Sequence, residues 1–294
     1  RTPRRARAWR HAVWSSAPSS HAREDSNSWE RMGIRAAAAV PILAEPGVCG
    51  VLYVDRLHRG GVFSPGDLEV ILAAASAIAT RISLWRGRLE REDAARIQRK
   101  MLPSELPPVR GYEIEADVKP CQVVGGDLFD CVQREDGKVF FLVGDVSGHG
   151  LAASLLTAGT VLVFRALVDL ALDPLTLFQS LHRNLREKIE EGQFVALFLG
   201  ELDPSTGRVH AVVAGIPYPV VVRTDGTFEV LPVTALPAGF LEFGASPTTV
   251  DFRLDEGDLL AVFTDGYTEA TVDHEEFFEE KDVLESLVAD HARP

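Results

Sequence analysis

Residues 125–150 read Gly125-Gly126-Asp127-Leu128-Phe129-Asp130, a polar turn around Glu135-Asp136-Gly137, then Val139-Phe140-Phe141-Leu142-Val143-Gly144-Asp145-Val146-Ser147-Gly148-His149-Gly150. Asp127 and Asp145 lie nine residues either side of Asp136. An Asp-Gly pair between apolar runs is a strong hairpin signal. Strands folding back there bring Asp127 and Asp145 opposite one another. Two facing carboxylates repel and destabilise a hairpin. A divalent cation between them removes that conflict. Each aspartate alone reads equally well as a turn residue beside glycine. The symmetric pair tips the reading toward a metal.

Bulk properties narrow the function. The chain has 294 residues, 46% of them hydrophobic and 25% charged, as in a soluble globular protein of one or two domains. Its net charge of -13 argues against general nucleic-acid binding, which needs a basic face. The charge is uneven: residues 1–35 hold eight arginines against Glu24, Asp25 and Glu30. Cys49, Cys121 and Cys131 form neither a metal spacing nor an even disulfide set. They read as small core residues in a reducing cytoplasm. The longest apolar run, Gly150 to Phe164, is shorter than the ~20 residues of a spanning helix. No membrane partner and no signal peptide are expected. The chain starts with arginine, which suggests a fragment or processed piece.

Residues 1–30 show no clear period and read as a poorly organised segment. From there the pattern sharpens. Ile34–Leu43 is a small-apolar strand, Glu45-Pro46-Gly47 a turn, and Val48–Leu57 a second strand. Ser64-Pro65-Gly66-Asp67 places an N-cap and a proline before a long helix. Leu68, Leu72, Ala75, Ile78, Ile82, Trp85 and Leu89 recur at helical steps. Residues 31–86 resemble the C-terminal half of a GAF domain, and the family's N-terminal half is not recognised in residues 1–30. The helix runs on through the charged residues 86–101 as a linker (residues 87–108) ended by Pro103, Pro107 and Pro108. Its thin apolar stripe fits a solvated connector or a homodimeric coiled stalk passing signals between domains.

From Tyr112 strands dominate. Tyr112–Lys119 alternates, and Gly126–Arg134 with Lys138–Gly144 makes the hairpin. Gly150–Leu172 is an apolar helix, and Asp173-Pro174 starts another. Phe194–Leu202, Arg208–Ala214, Pro219–Arg223, Thr227–Leu231, Thr248–Leu254 and Asp258–Phe263 read as strands, and Asp282–His291 as a closing helix. Two helices between blocks of strands imply an α+β layered fold with sheets inside and helices outside.

A second acidic site matches the first: Leu259-Leu260-Ala261-Val262-Phe263-Thr264-Asp265-Gly266 is again an apolar strand ending in aspartate and glycine. Alone it reads as a strand ending in a turn. Three such aspartates converge if their strands sit side by side in a sheet. Oxygen ligands without a His or Cys cluster favour Mg²⁺ or Mn²⁺ over Zn²⁺. Two such ions can activate water and neutralise a phosphoryl group.

Several motifs in order then resemble the SpoIIE-type branch of the protein phosphatase 2C (PPM) superfamily. They are Ile97-Gln98-x-x-Met101-Leu102-Pro103, Val124-Gly125-Gly126-Asp127-x-x-Asp130, Gly144-Asp145-Val146-Ser147-Gly148-His149-Gly150-x-Ala152-Ala153, Leu236-Pro237-x-Gly239 and Thr264-Asp265-Gly266-x-x-Glu269-Ala270. The resemblance implies a layered α-β-β-α sandwich over residues 109–294, C-terminally truncated. It also implies residue roles. Asp145 bridges two Mn²⁺ or Mg²⁺ ions with the Val146 carbonyl completing one shell. Asp127 binds one ion and Asp265 the other, Asp130 and Glu269 stand behind them, and His149 protonates the leaving oxygen. A hydrogen-bonded cap at the helix start is the other reading of His149.

The implied activity is metal-dependent hydrolysis of phosphoserine or phosphothreonine on a phosphorylated regulatory protein of the anti-sigma-factor antagonist type. The chain departs from the family pattern at Ala196, where threonine is usual, and at Val213-Ala214-Gly215-Ile216-Pro217, where Asn-Ala-Gly-His is common. It also stops before the family's Asp-Asp-x-Thr-type strand, which supplies another metal ligand. A catalytically weak relay module that binds regulatory partners is the alternative. A nucleotide cyclase is disfavoured, because Gly125-Gly126 and Gly148-x-Gly150 lack phosphate-loop spacing.

Overall fold

The structure, a computed structural model, describes residues 13–16, 32–57, 62–120, 123–190, 192–217, 219–240, 246–268, 271–272 and 276–277. It divides into two compact units, Arg1–Glu90 and Arg91–Pro294.

The first unit is an antiparallel sheet, β1 (Val13–Ser16), β2 (Ile34–Ala44) and β3 (Gly47–Leu57), in the order β1-β2-β3. Against it lies part of helix α1 (Pro65–Met101). Alternate residues Ala36, Ala38, Val40 and Ile42 face Ile71, Ala75 and Ala79 of the helix. Alanine on both surfaces lets strand and helix approach closely. Ser64 and Asp67 cap α1 reciprocally, each accepting the other's backbone N–H, at 2.7 and 3.2 Å. Residues 1–30 are not wholly without organisation: Val13–Ser16 pairs with Ala36–Ala39 of β2.

The second unit is built on a five-stranded antiparallel sheet in the order β10-β7-β6-β5-β4. Its strands are β4 (Leu128–Gln133), β5 (Val139–Val146), β6 (Val195–Asp203), β7 (Arg208–Ala214) and β10 (Val250–Arg253). A smaller sheet, β11-β8-β9, comprises β8 (Val220–Val222), β9 (Phe228–Val230) and β11 (Leu259–Ala261). β12 (Thr271–Val272) and β13 (Glu276–Phe277) form a short ribbon. Tyr112–Lys119 is not a strand. Tyr112 and Ile114 instead pack beside the core between the sheets, so their alternation reflects packing without a ladder.

Strand parity assigns the layers, because neighbouring residues point to opposite faces. Leu128, Phe140, Leu142, Val146, Leu197, Leu199 and Val212 form one core with helices α2 (Leu151–Val168) and α3 (Pro174–Arg186). Cys131, Val139, Phe198, Val209, Ala211 and Val213 form the other with Val221, Leu231 and Leu260 of the small-sheet region. The described layers are therefore helix, sheet, sheet. Asp282–His291, expected as the closing helix, lies outside the described residues, as does Cys121. Burial drives the Cys131 thiol up to about 11, which keeps it an unreactive core group. α2 is long and apolar enough by length and composition to cross a membrane, and so is Pro65–Met101. In α2, however, Ala153, Thr157, Val161, Phe164 and Val168 are buried, as in a core helix.

Candidate active site

The hairpin register is the one the Asp-Gly turn dictates. Leu128 pairs with Gly144 and Gln133 with Val139, so Asp127 and Asp145 stand one step beyond the last pair. By parity with Cys131 and Val143, both belong to the face that meets the second sheet. Asp265 arrives from that second sheet. It begins the one-turn helix α4 (Asp265–Thr268) just after β11. The three aspartates therefore do not come from neighbouring strands of one sheet, as the sequence suggested. Two come from the large sheet and one from the small sheet.

Gly126 sits at the centre. A Cβ on it would stand 2.6 Å from Asp145 Oδ1 and 2.6 Å from the Val146 carbonyl oxygen. Only glycine leaves those two oxygens clear. The Val146 amide donates to the Gly126 carbonyl at 3.2 Å, closing this end of the hairpin. Asp127 accepts a hydrogen bond from the Thr264 hydroxyl, next to Asp265. Its carboxyl is pushed above the usual range, first by burial and also by the charge of Asp265, with the Thr264 bond opposing. Asp127 and Asp265 thus feel one another. Among the described residues no three His, Cys, Asp or Glu side chains are gathered into a ready ligand set. The oxygens lie in two parts, Asp127 with Asp265, and Asp145 Oδ1 with the Val146 carbonyl beside Gly126. Such a set fits hard cations such as Mg²⁺ or Mn²⁺. The raised Asp127 carboxyl reflects burial first and the Asp265 charge only after it, and a bound cation would offset both.

His149 is exposed between Gly148 and Gly150, both at positive φ (94° and 81°). Gly150, not His149, occupies the N-cap position of α2. Ser147 ties the loop down. Its amide donates to the Phe194 carbonyl and its hydroxyl accepts from the Phe194 amide, each at 2.9 Å. Asp130 lies on the opposite face of β4 from Asp127. Its carboxylate is fully buried and forked by Arg165 of α2, at 2.6 and 3.0 Å. Glu269 lies outside the described residues.

Two further polar side chains hold the Gly125–Gly126 peptides. Gln98 of α1, only 7% exposed, donates to the Gly125 carbonyl at 2.7 Å and accepts from its amide at 3.3 Å. Thr157 of α2, fully buried, donates to the Gly126 carbonyl at 2.9 Å or to the Ala153 carbonyl at 3.0 Å. Thr157 escaped the sequence reading. A threonine inside an apolar helix is itself the signal, since a buried hydroxyl needs a partner. Ala196, where the family has threonine, pairs directly with Asp145.

Two sheets face to face, with helices on the outer surface of the larger one and aspartates at the strand ends, define the protein phosphatase 2C-like fold. The SiaA-PP2C domain of Pseudomonas aeruginosa superposes with a TM-score of 0.60 at 18% identity, over 72% of this chain and 85% of that one. The sequence profile of Stage II sporulation protein E (SpoIIE) matches residues 135–294, and the chain belongs to that family. A GAF domain profile matches residues 7–82, starting earlier than the residue 31 expected from sequence. Protein IcfG of Synechocystis sp. is 25% identical over 267 residues, 80% of this chain and 41% of that protein. Phosphoserine phosphatase RsbU of Bacillus subtilis is 24% identical over 203 residues, 69% of this chain and 59% of that protein. The chain thus spans roughly half the length of these curated relatives.

Proposed function

We propose that this chain is a metal-dependent protein serine/threonine phosphatase acting on a phosphorylated regulatory protein of the anti-sigma-factor antagonist type in the cytoplasm. The observation that carries the reading is the Gly126 cradle, with an aspartate oxygen and a backbone carbonyl within 2.6 Å of the missing Cβ. It stands beside Asp127, whose acidity Asp265 perturbs. Family membership supports the same reading, as does the similarity to RsbU.

In this proposal Asp145 and the Val146 carbonyl would hold two Mn²⁺ or Mg²⁺ ions together with Asp127 and Asp265. When bound, the ions supply the positive charge that activates water for in-line attack on phosphorus. Gly126 keeps side-chain bulk out of the pocket. Ser147 and Phe194 fix the loop that carries His149. The exposed His149 ring donates a proton to the departing serine or threonine oxygen. No residue forms a covalent bond to phosphate. The GAF-like part and the α1 linker control the activity. The chain pairs with a second copy through the outer face of α1, where Leu84, Trp85 and Leu89 are exposed. A second reading, a weakly catalytic relay, draws support from alanine at position 196 opposite Asp145.

Hydrolysis of p-nitrophenyl phosphate by the full chain, with and without Mn²⁺, tests the proposal. Mn²⁺-stimulated turnover that Asp145→Ala removes is expected. Absence of stimulation, with Asp145→Ala equal to wild type, overturns the enzyme reading and leaves the relay.

A further inference from the structure

We propose that His182 is a positioning residue for the acidic centre, holding the Leu236–Phe240 turn through which α3 braces the strand end carrying Asp145 and Val146. The proposal rests on the phosphatase reading for its Mn²⁺ and activity readouts, and hydrogen exchange of the Gly239 amide reads the His182 contact independently.

His182 lies on α3, 5% exposed, among Phe178, Leu181 and Leu185. Its Nδ1 accepts a hydrogen bond from the Gly239 amide at 3.2 Å. The turn has no slack at that point. Gly239 has φ of 80°, and a Cβ there would stand 2.2 Å from Ile189 Cδ1 and 3.5 Å from Leu185 Cβ. From Gly239 two short paths reach the site. Ala238 and Val195 exchange backbone hydrogen bonds, both 2.8 Å. Val195 pairs with Val146, and Ala196 with Asp145. On the other path the Phe240 ring meets Phe194 edge-on at 5.6 Å. Phe194 in turn exchanges two hydrogen bonds with Ser147. Both ends of the turn therefore lead to residues 145–147.

Apolar packing at position 182 has no need of an imidazole. What the site requires is one acceptor aimed at the Gly239 amide, because a buried N–H without a partner is unfavourable. Without it the turn lifts from α3, and the strand end that presents the Asp145 carboxylate and Val146 carbonyl loses its outer support.

The acceptor role needs Nδ1 to be unprotonated. Burial, and secondarily the charge of Arg186 one turn along, lower the His182 pKa and favour that state. The Leu236–Phe240 turn and the Val195–Ala196 end of β6 bring no titratable side chain, and β7, which also packs on α3, carries Arg208 and His210 at exposed positions. α2 brings only Arg165, which is bound to Asp130.

The test uses the full chain with His182→Phe, which keeps a ring and removes the acceptor, and His182→Asn, which keeps an acceptor near Nδ1. Mn²⁺ binding is read by titration calorimetry and turnover with p-nitrophenyl phosphate. His182→Phe is expected to weaken Mn²⁺ binding and lower kcat by about tenfold, in the range seen for residues supporting metal ligands. His182→Asn is expected to stay within about twofold, with the Gly239 amide still protected from hydrogen exchange. A folded His182→Phe that binds Mn²⁺ like wild type overturns the proposal, as does a His182→Asn loss equal to that of His182→Phe. Should His182→Phe not fold, the pH dependence of Mn²⁺ affinity decides. Because burial holds the His182 pKa below the ordinary value, wild type must lose more affinity than His182→Asn as pH falls below about 6.5, since only wild type can protonate the acceptor. Equal losses overturn it. Mn²⁺ binding without turnover in wild type would sink the phosphatase reading while the calorimetry still judged His182.

Discussion

Asp127 and Asp130 stand three residues apart in one motif, yet their surroundings are opposite. Asp130 points into the helix layer, where the Arg165 fork satisfies a fully buried carboxylate. Asp127 points toward the second sheet, where it meets a hydroxyl and another acid, and its carboxyl is pushed up. Strand parity explains the split, since residues an odd number apart face opposite sides. A buried charge held by a matching cation serves the fold. A half-buried acid placed beside another acid works against the fold, and such conflict concentrates at functional sites.

That contrast can be broken by substitution. Asp127→Asn should abolish metal-stimulated hydrolysis of p-nitrophenyl phosphate, by more than the roughly hundredfold lost when a ligand's supporting partner is removed. The same change should leave the urea midpoint unchanged or raised, because it removes a carboxylate that burial first and Asp265 second disfavour. A large loss of stability would place Asp127 with Asp130 as a fold residue. Gly126→Ala should lower turnover by roughly ten- to a hundredfold, read as kcat at saturating Mn²⁺. The new methyl group falls on Asp145 Oδ1 and the Val146 carbonyl. Wild-type turnover there would remove Gly126 from the site.

Asp130→Ala should act the other way. It strands Arg165 against the β4–α2 contact and should cost about 2 kcal/mol in denaturant unfolding. That figure is below the usual cost of breaking a buried pair because Arg165 keeps half its side chain in water. Turnover per folded molecule should change little.

Asp173 supplies the small end of the scale. It caps α3, accepting from Leu175 and Thr176. Its carboxyl is held below the usual range, first by the Thr176 hydroxyl and then by backbone N–H groups, with burial opposing. A depressed carboxyl contributes stability that is present above the unfolded pKa near 4 and lost as pH falls through the folded value. Asp173→Ala should therefore cost about 1 kcal/mol at neutral pH. The difference from wild type should fade in acid, and a gap that persists below the folded pKa would contradict the capping role.

The hairpin was legible because local chemistry decides it. Asp136-Gly137 fixes the turn, and register then follows by counting, so Leu128 meets Gly144. α1 was legible through its cap and helical spacing, and the apolar run after His149 folds as the helix Leu151–Val168. Tyr112–Lys119 misled because alternation appears wherever an extended chain lies on a core, with or without a neighbouring strand. Asp130 misled because a motif places residues in sequence and says nothing of which face each takes.

The amino-acid sequence by itself determined most of the local elements, the hairpin register that puts Asp127 and Asp145 at one end of β4 and β5, and the family, since these depend on spacing and on residue types near one another along the chain. Only the tertiary structure decided that Asp265 reaches the pocket from the second sheet, that Gly126 is pressed against the Asp145 carboxylate, and that Gln98, Thr157 and His182 end on the backbone around it. The contacts of Gln98, Thr157 and His182 join segments 27 to 57 residues apart. Long-range pairing of that kind is set by burying two sheet faces and a helix layer together, which no local pattern encodes.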